Sequence, residues 1–373
     1  MAELSFSFPG KIFFGSDVLN LLGSLTASFG MRTMLIADGV LHDGRHIERI
    51  QDVLRKKGID CLLLDDVNAP GSRRSIQDVV DFAKASRTQV FLGLGGTSIL
   101  NTTRKTACLA STQKNREGLP VPLPYIEIPT VFRSPYMVTD AYVDTDPITR
   151  RPVLVSSAEG LSKAILVDPS LTAGLPPKFM GTLMLDTLLL AVEGYLSANA
   201  NFFSDAHFFA AINLLGEGIG EAIRGVKDLR PRVKASQAGV LCAFGITATG
   251  LGVGSILSLA LHTLFGVPKS WAAAILLPHM LDILAESRTE RMAAAAKILG
   301  EDVFGLETGA AARLVPSWTR RIIAQMFLPG RLRDLNLKLN ELIDAAEAAA
   351  EFDVTSRIPM TIDGLYDLLK RAY

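Results

Sequence analysis

The feature that most constrains the fold is a regular alternation of apolar strand-like runs and amphipathic helical segments in the first half of the chain. The runs are short and almost continuously apolar, which is typical of strands buried on both faces of a parallel sheet. The predicted strands are 33–37, 60–64, 89–94 and 125–128, and the predicted helices are 46–57, 75–85 and one that begins after residue 98. Because each strand is followed by a helix, the pattern predicts an α/β domain with helices on both faces of its sheet.

The strand signals stop near Leu175-Pro176-Pro177, and long helical patterns follow to the end of the 373-residue chain. We therefore predict two domains, an α/β domain over 1–173 and an all-helical domain over 174–373. The first domain opens with the alternating segment Leu4–Phe8, which predicts a β-hairpin with the short run 11–14.

Charge and cysteine content exclude several classes of protein. Lys and Arg together equal Asp and Glu, so the chain has no excess positive charge to bind nucleic acid. Cys61, Cys108 and Cys242 are widely spaced in apolar surroundings, which argues against a zinc site and against a disulfide framework. The first residues lack the basic and apolar regions of a signal peptide, so a cytoplasmic location is expected.

A charge-free stretch from Ala235 to Pro268 is long enough to cross a bilayer. It contains six glycines, several Ser and Thr residues and His262, and no cluster of Lys or Arg flanks both of its ends. A helix that is apolar on all sides is also typical of the centre of a large soluble domain. We therefore expect a buried segment and no membrane partner.

A glycine turn is the strongest local motif. Gly95-Gly96-Thr97-Ser98 follows a predicted strand and precedes a helix, which is the arrangement that binds a diphosphate on free N–H groups. Asp38 ends a neighbouring strand, where a carboxylate can bind an adenosine ribose and repel a 2′-phosphate. These residues predict a Rossmann-like domain that binds NAD in preference to NADP, although a tight turn and a helix cap would use the same residue types.

The order of motifs along the chain resembles that of the iron-containing alcohol dehydrogenases. The motifs that carry the resemblance are Gly95–Asn101, Ile128-Pro129-Thr130, Val167–Thr172, Asp186–Tyr195, Ser204-Asp205, Gly250-Leu251-Gly252, Ile275–His279 and the C-terminal residues 358–373. The resemblance implies NAD(P)-dependent interconversion of alcohols and carbonyl compounds in a cleft between the two domains. It also implies a homodimer that pairs through the N-terminal hairpin, whose edge strand is suited to pairing.

The family binds a divalent metal ion with one Asp and three His, and this chain departs from that ligand set. Asp186 matches the first ligand, but Leu190, Ser255 and Lys269 stand where the three histidines are expected. Because one carboxylate cannot hold Fe²⁺ or Zn²⁺, no metal ion is expected. Lys269 would place a positive charge where the metal charge would be.

The loop that lies against the cofactor in this family is also changed. It contains Thr130 and Ser134, which are candidate cofactor-binding residues, but Arg133, Pro135 and Tyr136 replace small or flexible residues. In the helix after the glycine turn, the expected Asp and Lys are Asn101 and Arg104.

Three functions stay open at this point. The first is a metal-independent oxidoreductase in which Lys269 is the electrophile and Asp186 orients it. The second is a non-catalytic paralogue that binds a nucleotide or another ligand. The third is a lyase or cyclase of the dehydroquinate synthase type. It is weaker because those enzymes also resemble metal-dependent members of the superfamily, and the metal is what this chain lacks. The oxidoreductase is favoured because Asp38 and the glycine turn, on the adenosine side, are retained.

Overall fold

The computed structural model describes residues 10–38, 45–67, 76–116, 118, 121–156, 160–225, 228–352 and 361–373. The chain divides into two compact units. The first unit comprises Met1–Tyr142 and Val155–Leu175, and the second comprises Val143–Leu154 and Pro176–Tyr373. The segment Val143–Leu154 therefore groups with the second unit, a discontinuity that the single boundary after residue 173 does not include.

The first unit contains a six-stranded sheet in which all five pairs of neighbouring strands are parallel. Its strands are β1 (Ile12–Phe14), β2 (Arg32–Ala37), β3 (Asp60–Leu64), β4 (Val90–Gly95), β5 (Tyr125–Pro129) and, after a separate two-stranded sheet of β6 (Ala141–Thr145) and β7 (Pro152–Ser156), β8 (Ala164–Val167). The order across the large sheet is β1-β8-β5-β4-β2-β3. The four predicted strands are confirmed as β2 to β5, whereas β6, β7 and β8 were not predicted.

The first strand pairs with a strand that the sequence does not predict. The short run at 11–14 does form a strand, β1, but it pairs in parallel with β8. Its predicted hairpin partner, Leu4–Phe8, lies outside the described residues. The homodimer that would form through this hairpin stays a prediction.

Helices cover both faces of the large sheet. They are α1 (Leu22–Ala27), α2 (Arg45–Arg55), α3 (Ile76–Ala85) and α4 (Thr97–Ala110). Alternate residues of β2 enter two separate buried clusters, because side chains of a strand alternate between faces. Leu35 packs in a cluster with Ile50 of α2, whereas Met34 packs in the other cluster with Val79 of α3. The predicted α/β class is confirmed.

The second unit is built mainly of helices, as predicted. They are α5 (Pro177–Tyr195), α6 (Phe202–Ile223), α7 (Arg230–Thr249), α8 (Val253–Phe265), α9 (Lys269–Ser287), α10 (Thr289–Ile298), α11 (Thr308–Ala312), α12 (Leu314–Met326), α13 (Leu342–Glu351) and α14 (Ile362–Arg371). The charge-free stretch forms most of α7 and all of α8. Among the described residues no single helix is long and apolar enough to cross a bilayer, and α7 and α8 reach that length only together, across a bend of 105°.

Close packing of α5, α6 and α7 depends on two glycines that face one aromatic ring. A Cβ atom at Gly194 would lie 2.1 Å from Cζ of Phe208, and one at Gly245 would lie 2.6 Å from the same atom. Neither distance is compatible with a side chain, so the Phe208 ring fills the space that the two glycines leave.

Candidate functional site

The carboxyl ends of neighbouring parallel strands gather the predicted cofactor residues at one edge of the sheet. Asp38 follows β2, and its backbone N–H donates to the Leu94 carbonyl of β4 at 3.1 Å. On the other side of β4, the N–H of Thr130 donates to the Gly95 carbonyl at 3.0 Å. Asp38, the glycine turn and Thr130 therefore follow three adjacent strands, at the sheet edge where open α/β sheets bind their ligands.

The start of α4 presents backbone donors at this edge. Gly96 is the N-cap residue, and no side chain caps the helix. Because the first N–H groups of a helix have no intrahelical acceptor, those at the start of α4 can bind an anion. Thr97 is half-buried and Ser98 is exposed, so the turn is open to solvent.

The two glycines of the turn have different reasons for being glycine. A Cβ atom at Gly95 would lie 2.7 Å from Cβ of Ile99, so packing within the first unit requires glycine there. A Cβ atom at Gly96 would meet only Val131, at an ordinary distance of 3.6 Å. The backbone of Gly96 has φ −77°, which any residue can adopt. Nothing in the described structure requires glycine at 96, whereas close approach of a ligand to the backbone would.

The loop after β5 is fastened against this turn. Thr97 donates its hydroxyl hydrogen to the Arg133 carbonyl at 2.8 Å, so the side chain of Thr97 binds the loop. Thr130 and Ser134 are both buried, at 3% and 4% exposure. Oγ1 of Thr130 has no hydrogen-bond partner among the described residues. The cofactor-binding role of these two side chains stays a prediction.

In the second unit, the two predicted catalytic residues are in direct contact although 83 positions separate them. Asp186 lies in the middle of α5, and Lys269 is the first residue of α9. Nζ of Lys269 donates to Oδ1 of Asp186 at 2.6 Å, and the side chains are 19% and 5% exposed. A cation at a helix N-terminus is disfavoured by the helix dipole, so the Asp186 carboxylate compensates the charge of Lys269.

The residues at the metal-ligand positions do not fit a metal ion. Leu190 lies one turn after Asp186 on α5 and is buried, and Ser255 of α8 is buried as well. Neither supplies an imidazole, and the Asp186 carboxylate is occupied by an ammonium group. Throughout the described residues, no group of three or more His, Cys, Asp or Glu side chains is arranged to hold an ion. This donor set does not satisfy Fe²⁺ or Zn²⁺.

A second buried carboxylate, which the sequence analysis missed, holds α8 in place. Glu193 lies two turns after Asp186 on α5 and is 2% exposed. Its Oε1 accepts the N–H of Gly254 at 2.5 Å, and its Oε2 accepts the N–H of Ser255 at 3.1 Å. Glu193 therefore caps the N-terminus of α8, a helix that no residue of its own caps by a side-chain bond. The available signal was a charged residue within a nearly uncharged helix, since such a residue is rarely buried without a partner.

Asp205, which belongs to one of the motifs, and two histidines outside the motifs bind other parts of the second unit. Asp205 pairs with Arg291, which also donates to the Tyr195 carbonyl. Nδ1 of His207 lies 2.7 Å from the Phe203 carbonyl, and Nδ1 of His262 lies within hydrogen-bonding distance of a carbonyl in the turn before α9.

Comparison with known proteins gives consistent matches along the chain. Residues 9–169 match the model of iron-containing alcohol dehydrogenase, and residues 181–373 match the C-terminal model of the Fe-containing alcohol dehydrogenase family. The 1,3-propanediol dehydrogenase of Citrobacter freundii is 26% identical over 352 residues, which cover 91% of both chains. The NAD-dependent methanol dehydrogenase of Bacillus methanolicus is 22% identical over 379 residues, which cover 99% of both. A solved 1,3-propanediol oxidoreductase has the same fold, with a TM-score of 0.91, 23% identity and full coverage of both chains.

Proposed function

The chain belongs to the iron-containing alcohol dehydrogenase family, and we propose that it is a metal-independent, NAD-dependent oxidoreductase that interconverts an alcohol and a carbonyl compound. The observation that carries the proposal is the 2.6 Å contact between Lys269 Nζ and Asp186 Oδ1. It places a cation on the one retained metal ligand, so a positive charge is available where the family uses a metal ion.

In the direction of reduction, NADH held at the edge of the sheet would supply a hydride to the carbonyl carbon of the substrate. As the C=O π bond breaks, negative charge develops on the substrate oxygen and must be stabilised. The Lys269 ammonium donates a hydrogen bond to this oxygen and then transfers its proton, which yields the alcohol and a neutral amine. Solvent returns the proton to Lys269, and Asp186 holds the amine in position.

The cofactor would bind at the carboxyl edge of the sheet in the first unit. The N–H groups at the start of α4 would hold the diphosphate, and Asp38 would accept hydrogen bonds from the adenosine ribose. Support comes from Gly96, where no contact among the described residues requires glycine, and from the position of Asp38 beside the end of β4. Because its carboxylate would repel a 2′-phosphate, Asp38 should favour NAD(H) over NADP(H).

Titration of the purified protein with NADH and NADPH, followed by nicotinamide fluorescence, tests the cofactor half of the proposal. We expect NADH to bind more tightly than NADPH. Gly96→Ala should keep the wild-type melting temperature, because its Cβ atom makes only ordinary contacts within the protein. It should bind NADH weakly, because the same atom would obstruct the approach of the diphosphate to the backbone. Gly174→Ala is the matched control, since a Cβ atom there meets no atom within 4 Å and should change neither property.

Failure of both dinucleotides to bind would contradict the proposed function. Tighter binding of NADPH would contradict the role of Asp38 and direct attention to Arg133. Binding of NADH without turnover of a broad panel of alcohols and aldehydes would favour the non-catalytic paralogue.

A further inference from the structure

A buried ion pair lies directly beneath the proposed cofactor loop. Arg104 of α4 and Glu127 of β5 are 4% and 0% exposed. Nε of Arg104 donates to Oε1 of Glu127 at 2.5 Å, and Nη2 donates to Oε2 at 3.0 Å, so the pair is bidentate. Burial has the largest single effect and lowers the pKa of Arg104, but the charge and hydrogen bonds of Glu127, together with Tyr125 and Asp140, leave that pKa above its ordinary value.

The remaining nitrogen of Arg104, Nη1, donates to three backbone carbonyls of one chain segment. Nη1 donates to the carbonyl oxygens of Tyr136 at 2.8 Å, Ala141 at 2.7 Å and Thr139 at 3.3 Å. The Thr139 hydroxyl closes the same turn, since it donates towards the Tyr136 carbonyl at 3.1 Å. The planar guanidinium can reach a carboxylate and these carbonyls at once, whereas a lysine ammonium lacks this fork of five donors.

This segment, residues 130–141, is bound near its beginning to the end of β4 and the start of α4, and at its end to a later turn of α4. Near its beginning, the N–H of Thr130 donates to the Gly95 carbonyl, and Thr97 donates to the Arg133 carbonyl. At its end, Arg104 holds the Tyr136 and Ala141 carbonyls about two helical turns further along α4. Val131 lies between these attachments and is the residue that faces the position of a Cβ atom on Gly96.

From these contacts we infer that Arg104 and Glu127 are a positioning pair that fixes segment 130–141 against the start of α4 and thereby sets the affinity for the dinucleotide. Neither residue touches the ligand in this account. The inference rests on the proposed dinucleotide site, and it explains why an arginine is useful at 104. A segment held before the ligand arrives does not have to be ordered on binding, and that ordering would otherwise weaken the affinity.

Two variants of the full-length protein remove the carbonyl contacts in different ways. Arg104→Lys keeps a cation beside Glu127, but its single ammonium group cannot bind Glu127 and the three carbonyls at the same time. The double variant Arg104→Met/Glu127→Leu removes both charges, and such apolar replacement of a buried pair often leaves stability unchanged. Arg291→Lys is the matched control, because Arg291 also binds a carboxylate, Asp205, and a backbone carbonyl, that of Tyr195, but does so in the second unit.

Hydrogen exchange of the ligand-free proteins and NADH titration are the two measurements. We expect both Arg104 variants to exchange amides of segment 130–141 faster than wild type and to bind NADH about tenfold more weakly. Once NADH is saturating, kcat should return to the wild-type value, so the loss appears in KM for NADH. Arg291→Lys should show none of these changes.

Wild-type exchange over segment 130–141 in both Arg104 variants would overturn the inference, whatever ligand is used. An equal loss of NADH affinity in Arg291→Lys would also overturn it, because the effect would then be general destabilisation. If the wild-type protein binds no dinucleotide at all, the proposed function fails, and the ligand half of this inference fails with it, whereas the exchange result still decides whether Arg104 holds the segment.

Discussion

Replacing Lys269 with Met would leave the Asp186 carboxylate without the cation that now lies 2.6 Å away. Asp186 is 5% exposed, so the remaining charge would stay largely out of water. Removal of one partner from a buried pair costs about 3–5 kcal/mol, and because Lys269 is 19% exposed we expect the lower end of that range. The double variant Asp186→Asn/Lys269→Met removes both charges and should lie within about 1 kcal/mol of wild type.

Urea unfolding followed by tryptophan fluorescence measures this cycle. Both tryptophans of the chain, Trp271 and Trp318, belong to the second unit, so the signal reports the unit that contains the pair. The loss in the double variant should be smaller than the loss in Lys269→Met alone, which is the signature of coupled residues. Single variants with wild-type stability, or losses that simply add in the double variant, would refute the reasoning.

The same variants separate stability from chemistry. Lys269→Met should lower kcat by about 100-fold, since it removes a donor to the developing oxyanion. Asp186→Asn should cause a smaller loss if Asp186 only orients the lysine. NADH affinity should hardly change, because Asp38 and the Gly95–Ser98 turn belong to the first unit. Wild-type turnover in Lys269→Met would make Lys269 a bystander.

Three further predictions follow from other parts of the chain. Burial, with a smaller contribution from Arg320, lowers the pKa of His279, so the folded state favours the neutral ring. The stability that this provides is present above about pH 6.5 and is lost as the pH falls. The free energy of unfolding should therefore be lower at about pH 5.5 than at about pH 7.5, and this difference should be smaller in His279→Gln. Gly194→Ala would place a Cβ atom 2.1 Å from Cζ of Phe208 and should lower the free energy of unfolding by about 1–3 kcal/mol. Replacing Phe208 with Leu as well should restore part of this stability, and an unchanged melting temperature in Gly194→Ala would contradict the packing argument. Pairing through Leu4–Phe8 should give light-scattering masses of a dimer of 40.2 kDa chains, and a clean monomer would count against it.

The periodicity of apolar residues was sufficient to predict strands β2 to β5, but it did not predict strand β8, which is the partner of β1. Strands β2 to β5 are continuous apolar runs separated by amphipathic helices, so their pattern is unambiguous. The four-residue strand β8 is too short to give a periodic signal, and without it the parallel partner of β1 could not be found. A local pattern shows only pairing with nearby segments, and β8 lies about 150 residues after β1 in the chain.

The contact between Asp186 and Lys269 could be anticipated only through the family resemblance, because no local pattern links residues on α5 and α9. The buried ion pair was missed for a different reason. Glu127 stands within the apolar strand Tyr125–Pro129, and the strand pattern alone gives no partner for its charge. A charge in a central strand must be paired, and Arg104, noted only as a departure from the family, was the residue to consider.

The most direct test of the account combines metal content with turnover. Elemental analysis of the purified protein should be followed by NADH-dependent reduction of an aldehyde substrate, before and after dialysis against a chelator. Because Lys269 and Asp186 occupy the ligand position, we predict no stoichiometric Fe, Zn, Ni or Mn and the same turnover in both samples. About one transition-metal ion per chain, whose removal abolishes turnover and whose return restores it, would contradict the account.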